Sequence, residues 1–240
     1  MSESVQAVLF DLGNTLVGYY RAPDFAPILR ESIDDVCDFL AEKKSAVADR
    51  DGAFQRAIAL NAEDPSCRVR PLEGRLIEIF AEHELADRDL GAMRDIFLRP
   101  IFRLATLDPH ALPTLAALRQ RGIRTAIVSN TPWGSPAEPW ADEIRRHGLT
   151  EAVDAVVFCV DVGWRKPAPQ IFRHALSLLE VEARDSIFVG DDPRWDVAGA
   201  ERSGLRPILI DPRGPGSDPP CPAIRSLAEL LPLLDSMGAE

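Results

Sequence analysis

Five short apolar runs, each broken off by polar or glycine residues, constrain the fold of this chain more than any other feature. They are Val5 to Phe10, Thr125 to Val128, Ala155 to Cys159, Ser186 to Val189 and Pro207 to Ile210. A run without polar alternation suits a strand buried on both faces, which is the habit of parallel sheets. Between the later runs lie helical patterns: Pro109 to Arg121 stops at Gly122, Ala137 to His147 at Gly148, and Arg194 to Ser203 at Gly204, with Pro169 to Leu179 also helical. Proline near a start and glycine just past an end are the expected helix punctuation. Strand alternating with helix predicts an α/β chain whose parallel sheet is doubly wound and covered by helices on both sides.

Residues from about Tyr19 to Leu104 break that alternation. Their apolar positions (Ile28, Val36, Phe39 and Leu40; Ile77, Ile79 and Phe80; Met93, Ile96 and Phe97) recur at helical spacing. We expect an inserted helical domain at 19–104 and a Rossmann-like α/β core from 1–18 and 105–240. The stretch from Asp211 to Pro222, dense in Pro, Gly and Asp, reads as an exposed loop before a last helix, Ile224 to Leu234. No internal repeat is visible.

Composition narrows the partners. A formal net charge of -11 over 240 residues disfavours nucleic acid and anionic membrane surfaces, because both call for basic patches. No apolar stretch is long enough to span a bilayer, and Met1 to Phe10 lacks the basic segment of a secretory signal, so the expected location is the cytoplasm. Cys37, Cys67, Cys159 and Cys221 form no C-x-x-C pair, which argues for free thiols over a zinc or redox site. The chain has three lysines, Lys43, Lys44 and Lys166. A lysine at 166 is thus a notable choice in an arginine-rich chain.

Four polar stations follow the strand runs: Asp11, Gly13, Asn14 and Thr15; Ser129, Asn130 and Thr131; Arg165, Lys166 and Pro167; and Gly190, Asp191, Asp192 and Asp196. At the carboxyl ends of parallel strands they would gather carboxylates, a hydroxyl, an amide and an ammonium, the groups that hold Mg²⁺ and a phosphoryl group together. In order and spacing they resemble the four motifs of the haloacid dehalogenase-like (HAD) superfamily, over Val5 to about Ile210. The helical insert after the first motif resembles the α-helical cap domain of many members.

The resemblance implies a hydrolase, a phosphatase of a small phosphorylated metabolite with Mg²⁺ as cofactor, monomeric or homodimeric. Asp11 matches the nucleophile that forms an aspartyl-phosphate, splitting one displacement into two. Thr15 matches the threonine that orders the first loop. Ser129 and Asn130 match the second motif, whose donors bind phosphoryl oxygens; an amide satisfying loop backbone is the alternative for Asn130. Lys166 matches the charge-offsetting lysine, and Arg165 beside it reads as a solvated surface charge. Asp191 matches the metal ligand, with Asp192 and Asp196 as further ligand or supporting carboxylates and a backbone carbonyl near Gly13 completing the set. Asp192 is equally suited to cap the helix that starts near Pro193. Candidates for substrate selection are Tyr19, Tyr20 and Arg21 at the start of the insert and Trp133 in the loop after Ser129; packing between cap and core is the alternative for each.

One position departs from the family pattern. Phosphatases of the superfamily usually carry a second Asp two residues after the nucleophile as general acid and base; here Gly13 stands in its place. Neither Gly13 nor the amide of Asn14 transfers a proton, and general acid–base assistance is worth about 10²–10⁴-fold. Alternatives therefore stay open: a dehalogenase, whose members resemble one another in a tyrosine at that position; a phosphonatase, which needs a cap lysine such as Lys43 or Lys44; or a binding module that has kept the pocket and lost turnover.

Overall fold

The computed structural model describes residues 5–43, 49–61, 64–81, 87–214, 219 and 221–237. Lys44 and part of the loop expected at 211–222 lie outside the described residues. From the start the chain forms β1 (Ala7–Phe10), β2 (Val17–Gly18), α1 (Phe25–Glu42), α2 (Arg50–Leu60), α3 (Leu72–Phe80), α4 (Asp87–Arg103) and β3 (Thr106–Leu107). Then come α5 (Ala111–Gln120), β4 (Arg124–Ser129), α6 (Ala137–Arg146), β5 (Ala155–Phe158), α7 (Cys159–Val162) and α8 (Pro169–Leu179). The chain closes with β6 (Ser186–Gly190), α9 (Ala198–Arg202), β7 (Arg206–Ile210), β8 (Ala223–Ile224) and α10 (Leu230–Met237).

Six strands make one sheet in the order β5-β4-β1-β6-β7-β8, each neighbouring pair parallel. β1 takes the middle because none of its side chains tolerates water. Val8 and Phe10 enter one core layer, with α5 and α10; Ala7 and Leu9 enter the other, with α8 and α9. Full burial of a side chain such as Phe10 or Leu9 contributes about 1.5–3 kcal/mol. Phe10 lies level with Ile127 of β4 and Val189 of β6, and the Asp11 amide donates to the Val189 carbonyl at 2.9 Å. That register brings three of the four polar stations to one edge of the sheet.

The interval between β1 and α5 behaves as an excursion from the sheet. β2 and β3 pair antiparallel, Val17 with Leu107 and Gly18 with Thr106, so the chain leaves and returns through a two-stranded neck. Between them α1 packs along α4 and α2, and α3 against α2 and α4. Among the described residues no helix is long and apolar enough to cross a membrane.

Two elements differ from expectation. Ile224 does not start a helix: Ala223 and Ile224 add a sixth strand to β7, with Leu209 donating to Pro222 and Asp211 to Ile224. Pairing buries Ile224 at the sheet edge, and the Glu229 carboxylate takes the Arg225 amide at 2.9 Å. Regular α-helix resumes only at Leu230. The helix expected from Arg194 opens instead as a π-helical turn, Pro193–Val197, before α9. This wider turn carries Asp196 back toward the sheet.

Candidate active site

Asp11 sits immediately past β1 and is 7% exposed. The next residues fold into a tight loop in which the amides of Thr15, Leu16 and Val17 all donate to the Leu12 carbonyl and Asn14 donates to Val17. Asn14, at φ 55, takes the left-handed conformation, which Asn tolerates better than most residues. Gly13 does not need positive φ, and a β-carbon there would meet only Tyr19 Cδ2, at 3.8 Å. Thr15 is buried, and its hydroxyl has no partner among the described residues.

Lys166 reaches the same point from the loop between α7 and α8. Its ammonium donates to Asp11 Oδ1 at 2.5 Å and to Asp196 Oδ1 at 2.7 Å while only 2% exposed. Burial disfavours the charged ammonium, but the two carboxylates outweigh it and raise the Lys166 pKa. Asn130, just past β4, holds the lysine's backbone at both amide ends: Lys166 N donates to Oδ1 at 2.7 Å, and Nδ2 donates to the Lys166 carbonyl at 3.1 Å. Its side chain thus satisfies loop backbone, the second of the two roles expected for it. Ser129, 6% exposed, ends β4 beside it.

The carboxylates beyond β6 divide their work. Asp192 caps the π-helical turn, accepting from the amides of Arg194 at 2.7 Å and Trp195 at 3.0 Å. Asp196, 2% exposed, faces inward; its second oxygen takes the Asp192 amide at 3.1 Å. Gly190 makes room for it, because a β-carbon there would stand 2.3 Å from Asp196 Oδ2. Asp191 completes the group: one oxygen each from Asp11, Asp191 and Asp196 lies within 4.8 Å of the others. Burial and the charges of Asp11 and Asp196 push Asp191 up to about 8. Burial likewise raises Asp196, to about 6, against the pull of Lys166.

Beside this cluster opens a cavity of about 410 Å³. Tyr20, Phe25 and Asn61 line it from the helical segment, and Asn130, Trp133 and Arg165 from the sheet side. Trp133 is 4% exposed, packs edge-on against Phe97 of α4 at 5.6 Å and lies under the Arg75 guanidinium of α3. It therefore both fills the seam and walls the cavity. Arg21, expected beside Tyr19 and Tyr20, is exposed and outside that lining. Arg165 is not the solvated charge expected: it is 8% exposed and donates to the Thr131 carbonyl at 3.2 Å. The cause is a backbone tether, in which Arg165 N donates to the Cys67 carbonyl and Val69 N to the Gly163 carbonyl, drawing the loop under the helical segment. Arg68 stacks over Trp164 at 3.9 Å along the same seam. Phe25, Asn61 and Arg165 were missed as cavity residues; only the adjacency of Arg165 to Lys166 offered a signal.

A family model for haloacid dehalogenase-like hydrolases matches residues 5–204. The chain belongs to that family. Among its relatives, phosphoglycolate phosphatase of Rhodospirillum rubrum is 30% identical over 225 residues, 89% of this chain and 82% of that protein. Ribulose-1,5-bisphosphate 5-phosphatase of Halopiger xanaduensis is 33% identical over 124 residues, and there the match spans about half of each chain, 52% of this one and 50% of the other. The fold of this hydrolase is also that of a HAD phosphatase from Thermococcus onnurineus, at a TM-score of 0.68 and 25% identity over 95% of this chain and 97% of that one.

Proposed function

We propose that the chain is a Mg²⁺-dependent phosphatase of a small phosphorylated metabolite, working through an aspartyl-phosphate on Asp11. The observation that carries this reading is the buried Lys166 ammonium held between Asp11 and Asp196, with Asp191 alongside. Three carboxylates face one ammonium, so full ionisation leaves an excess of negative charge suited to a divalent cation. Hard oxygen donors of this kind fit Mg²⁺, with Asp11, Asp191 and the Gly13 carbonyl as the ligand set, Asp196 in support and Asp192 as the local cap. A bound Mg²⁺ supplies positive charge to the phosphoryl oxygens.

The chain's own groups do the rest. Asp11 attacks phosphorus, Ser129 donates to a phosphoryl oxygen, and Lys166 offsets the charge that gathers in the transition state. Asn130 fixes the lysine for that task. Thr15 holds the first loop through its backbone amide, while Trp133 walls the cleft and Tyr19 stands beside Gly13, outside the cavity lining. Residues 19–104 act as the cap over a core of 1–18 and 105–240, and the seam between them excludes water. The relatives' substrates, named as phosphoglycolate and ribulose bisphosphate, make a small phosphorylated acid or sugar the favoured class. Lys43 does not favour phosphonatase chemistry, because it pairs with Asp89 at the surface at 2.8 Å.

The test is phosphate release from a panel of small phosphate esters with Mg²⁺ and with a chelator. Turnover that requires Mg²⁺ is expected. A folded protein that releases no phosphate from any member, with or without Mg²⁺, refutes the proposal.

A further inference from the structure

Arg165 and Lys166 are consecutive, and the structure gives them different surroundings. The Lys166 ammonium reaches Asp11 and Asp196, whereas Arg165 lines the cavity of about 410 Å³. Asn130 joins the two places: it borders the cavity and holds the Lys166 backbone through both ends of its amide. An ester with its phosphorus at Asp11 therefore has this cavity beside it to receive the rest of the molecule.

The lining says what kind of group fits there. Tyr20, Phe25 and Trp133 give the cavity apolar walls, and Asn130, with Asn61 at the end of α2, gives it two amides. Among the described residues Arg165 is the sole charged side chain in that lining, and no carboxylate borders it. In a chain of net charge -11, with three carboxylates gathered nearby, a cavity walled by one cation selects its contents by charge. Its volume is at the low end of the range for small-molecule sites, about 300–1,000 Å³, which suits a short ester.

The guanidinium is in place before a ligand arrives. Arg165 is 8% exposed, and its Nη1 donates to the Thr131 carbonyl at 3.2 Å. Its backbone amide donates to the Cys67 carbonyl at 2.8 Å, and its carbonyl accepts from the Ala168 amide at 2.8 Å. Little freedom is left for binding to remove. A guanidinium is a planar fork of donors that pairs with a carboxylate or a phosphate through two parallel bonds, and such a pair is stronger among buried groups than in water.

We infer that Arg165 selects substrates that carry a second anionic group, a carboxylate or another phosphate, at the end remote from the reacting phosphoryl group. The inference rests on the phosphatase reading and narrows it to one class of ester. An arginine that merely propped the Lys166 loop would, on removal, weaken turnover of every ester alike; one that touches the substrate distinguishes esters by their far end.

The experiment uses three phosphate esters of equal chain length: a propanediol with one phosphate and a free hydroxyl, the same diol with a phosphate at each end, and the corresponding hydroxy acid phosphorylated at its hydroxyl. Wild type, Arg165→Gln and Arg165→Lys are assayed with Mg²⁺. Binding of the three esters to Asp11→Asn, with and without Arg165→Gln, is measured by calorimetry. At least one anionic ester is expected to exceed the hydroxyl ester in kcat/KM by roughly tenfold or more, chiefly through KM, and the one that does so tells carboxylate from phosphate. Arg165→Gln should shrink that ratio roughly tenfold, and Arg165→Lys, which keeps the charge and loses the fork, should leave it in between. If Arg165→Gln does not fold, the Arg165→Lys ratio decides. Equal kcat/KM for the three esters in wild type, or a ratio that the Arg165 variants leave unchanged, overturns the inference. Should wild type release phosphate from none of them, the phosphatase reading fails; Arg165 then stands as an anion contact if an anionic ester still binds Asp11→Asn more tightly than the hydroxyl ester and loses that margin with Arg165→Gln, and falls if it does not.

Discussion

Replacing Lys166 with Met removes one charge from the most enclosed part of the site and keeps the side-chain length. The ammonium is 2% exposed and serves Asp11 and Asp196 at 2.5 and 2.7 Å, so its loss strands two buried carboxylates. Breaking a buried ion pair from one side costs about 3–5 kcal/mol. For a chain of this size each kcal/mol shifts Tm by about 2–4 °C, so metal-free Lys166→Met should melt roughly 6–20 °C below wild type. The pH dependence has a definite sign. A carboxylate whose folded pKa is raised binds more protons in the native state than in the unfolded state, so its contribution falls as pH rises from the usual carboxylate range through the folded value. Asp196 sits at about 6 and Asp191 at about 8 with Lys166 present, and removing the ammonium raises both further. The loss should therefore be small at pH 5, where protons replace the ammonium, and clearly larger at pH 8.5. Thermal and urea melts of both proteins at the two pH values, with chelator present, measure it. A Tm within 2 °C of wild type at both pH values (roughly 1 kcal/mol or less) refutes the account of Lys166 as the charge that holds this cluster together.

Mg²⁺ binding at pH 7 should release protons, because Asp191 at about 8 is largely protonated before the ion arrives. Titration calorimetry in two buffers of different ionisation enthalpy reads the release, and equal apparent heats at pH 7 would show Asp191 already ionised. Gly190→Ala places a β-carbon 2.3 Å from Asp196 Oδ2 and should displace that carboxylate from Lys166, costing about 1–3 kcal/mol of stability and weakening Mg²⁺ binding roughly tenfold or more; unchanged affinity would separate Asp196 from the metal site. Asn130→Ala should lower kcat by about 10–100-fold with little change in KM, as expected for a residue that aims Lys166. A rise in KM alone would make Asn130 a substrate contact instead.

The strands that position the site were legible because each is apolar on both faces and ends at a polar residue, so periodicity and punctuation agreed. β8 was not. Two residues after a run of prolines carry no periodic signal, and Ile224 becomes a strand residue only because β7 presents an unpaired edge. Asp11 and Asp191 stand directly after strands and Lys166 in the loop beyond β5 and α7, positions that the sequence pattern marks, whereas the division of labour between Asp192 and Asp196 depends on the π-helical turn. Spacing alone does not reveal that turn. Arg165 was misjudged because arginine is usually solvated, and its burial comes from contacts with residues 67–69, about a hundred positions away in the chain. The cavity wall formed by Phe25 and Asn61 is equally a product of tertiary packing.

The central claim is that Asp11 carries the phosphoryl group, and acid-quenched phosphoenzyme reports it most directly. Protein mixed with Mg²⁺ and excess phosphorylated substrate, stopped in acid and analysed by intact and peptide mass, should gain one phosphoryl group on the peptide containing Asp11. Asp11→Asn, matched for Tm, should show neither the adduct nor turnover, because the amide is a poor nucleophile of nearly the same shape. A phosphoryl group on another residue, or substantial turnover by folded Asp11→Asn, would contradict the account.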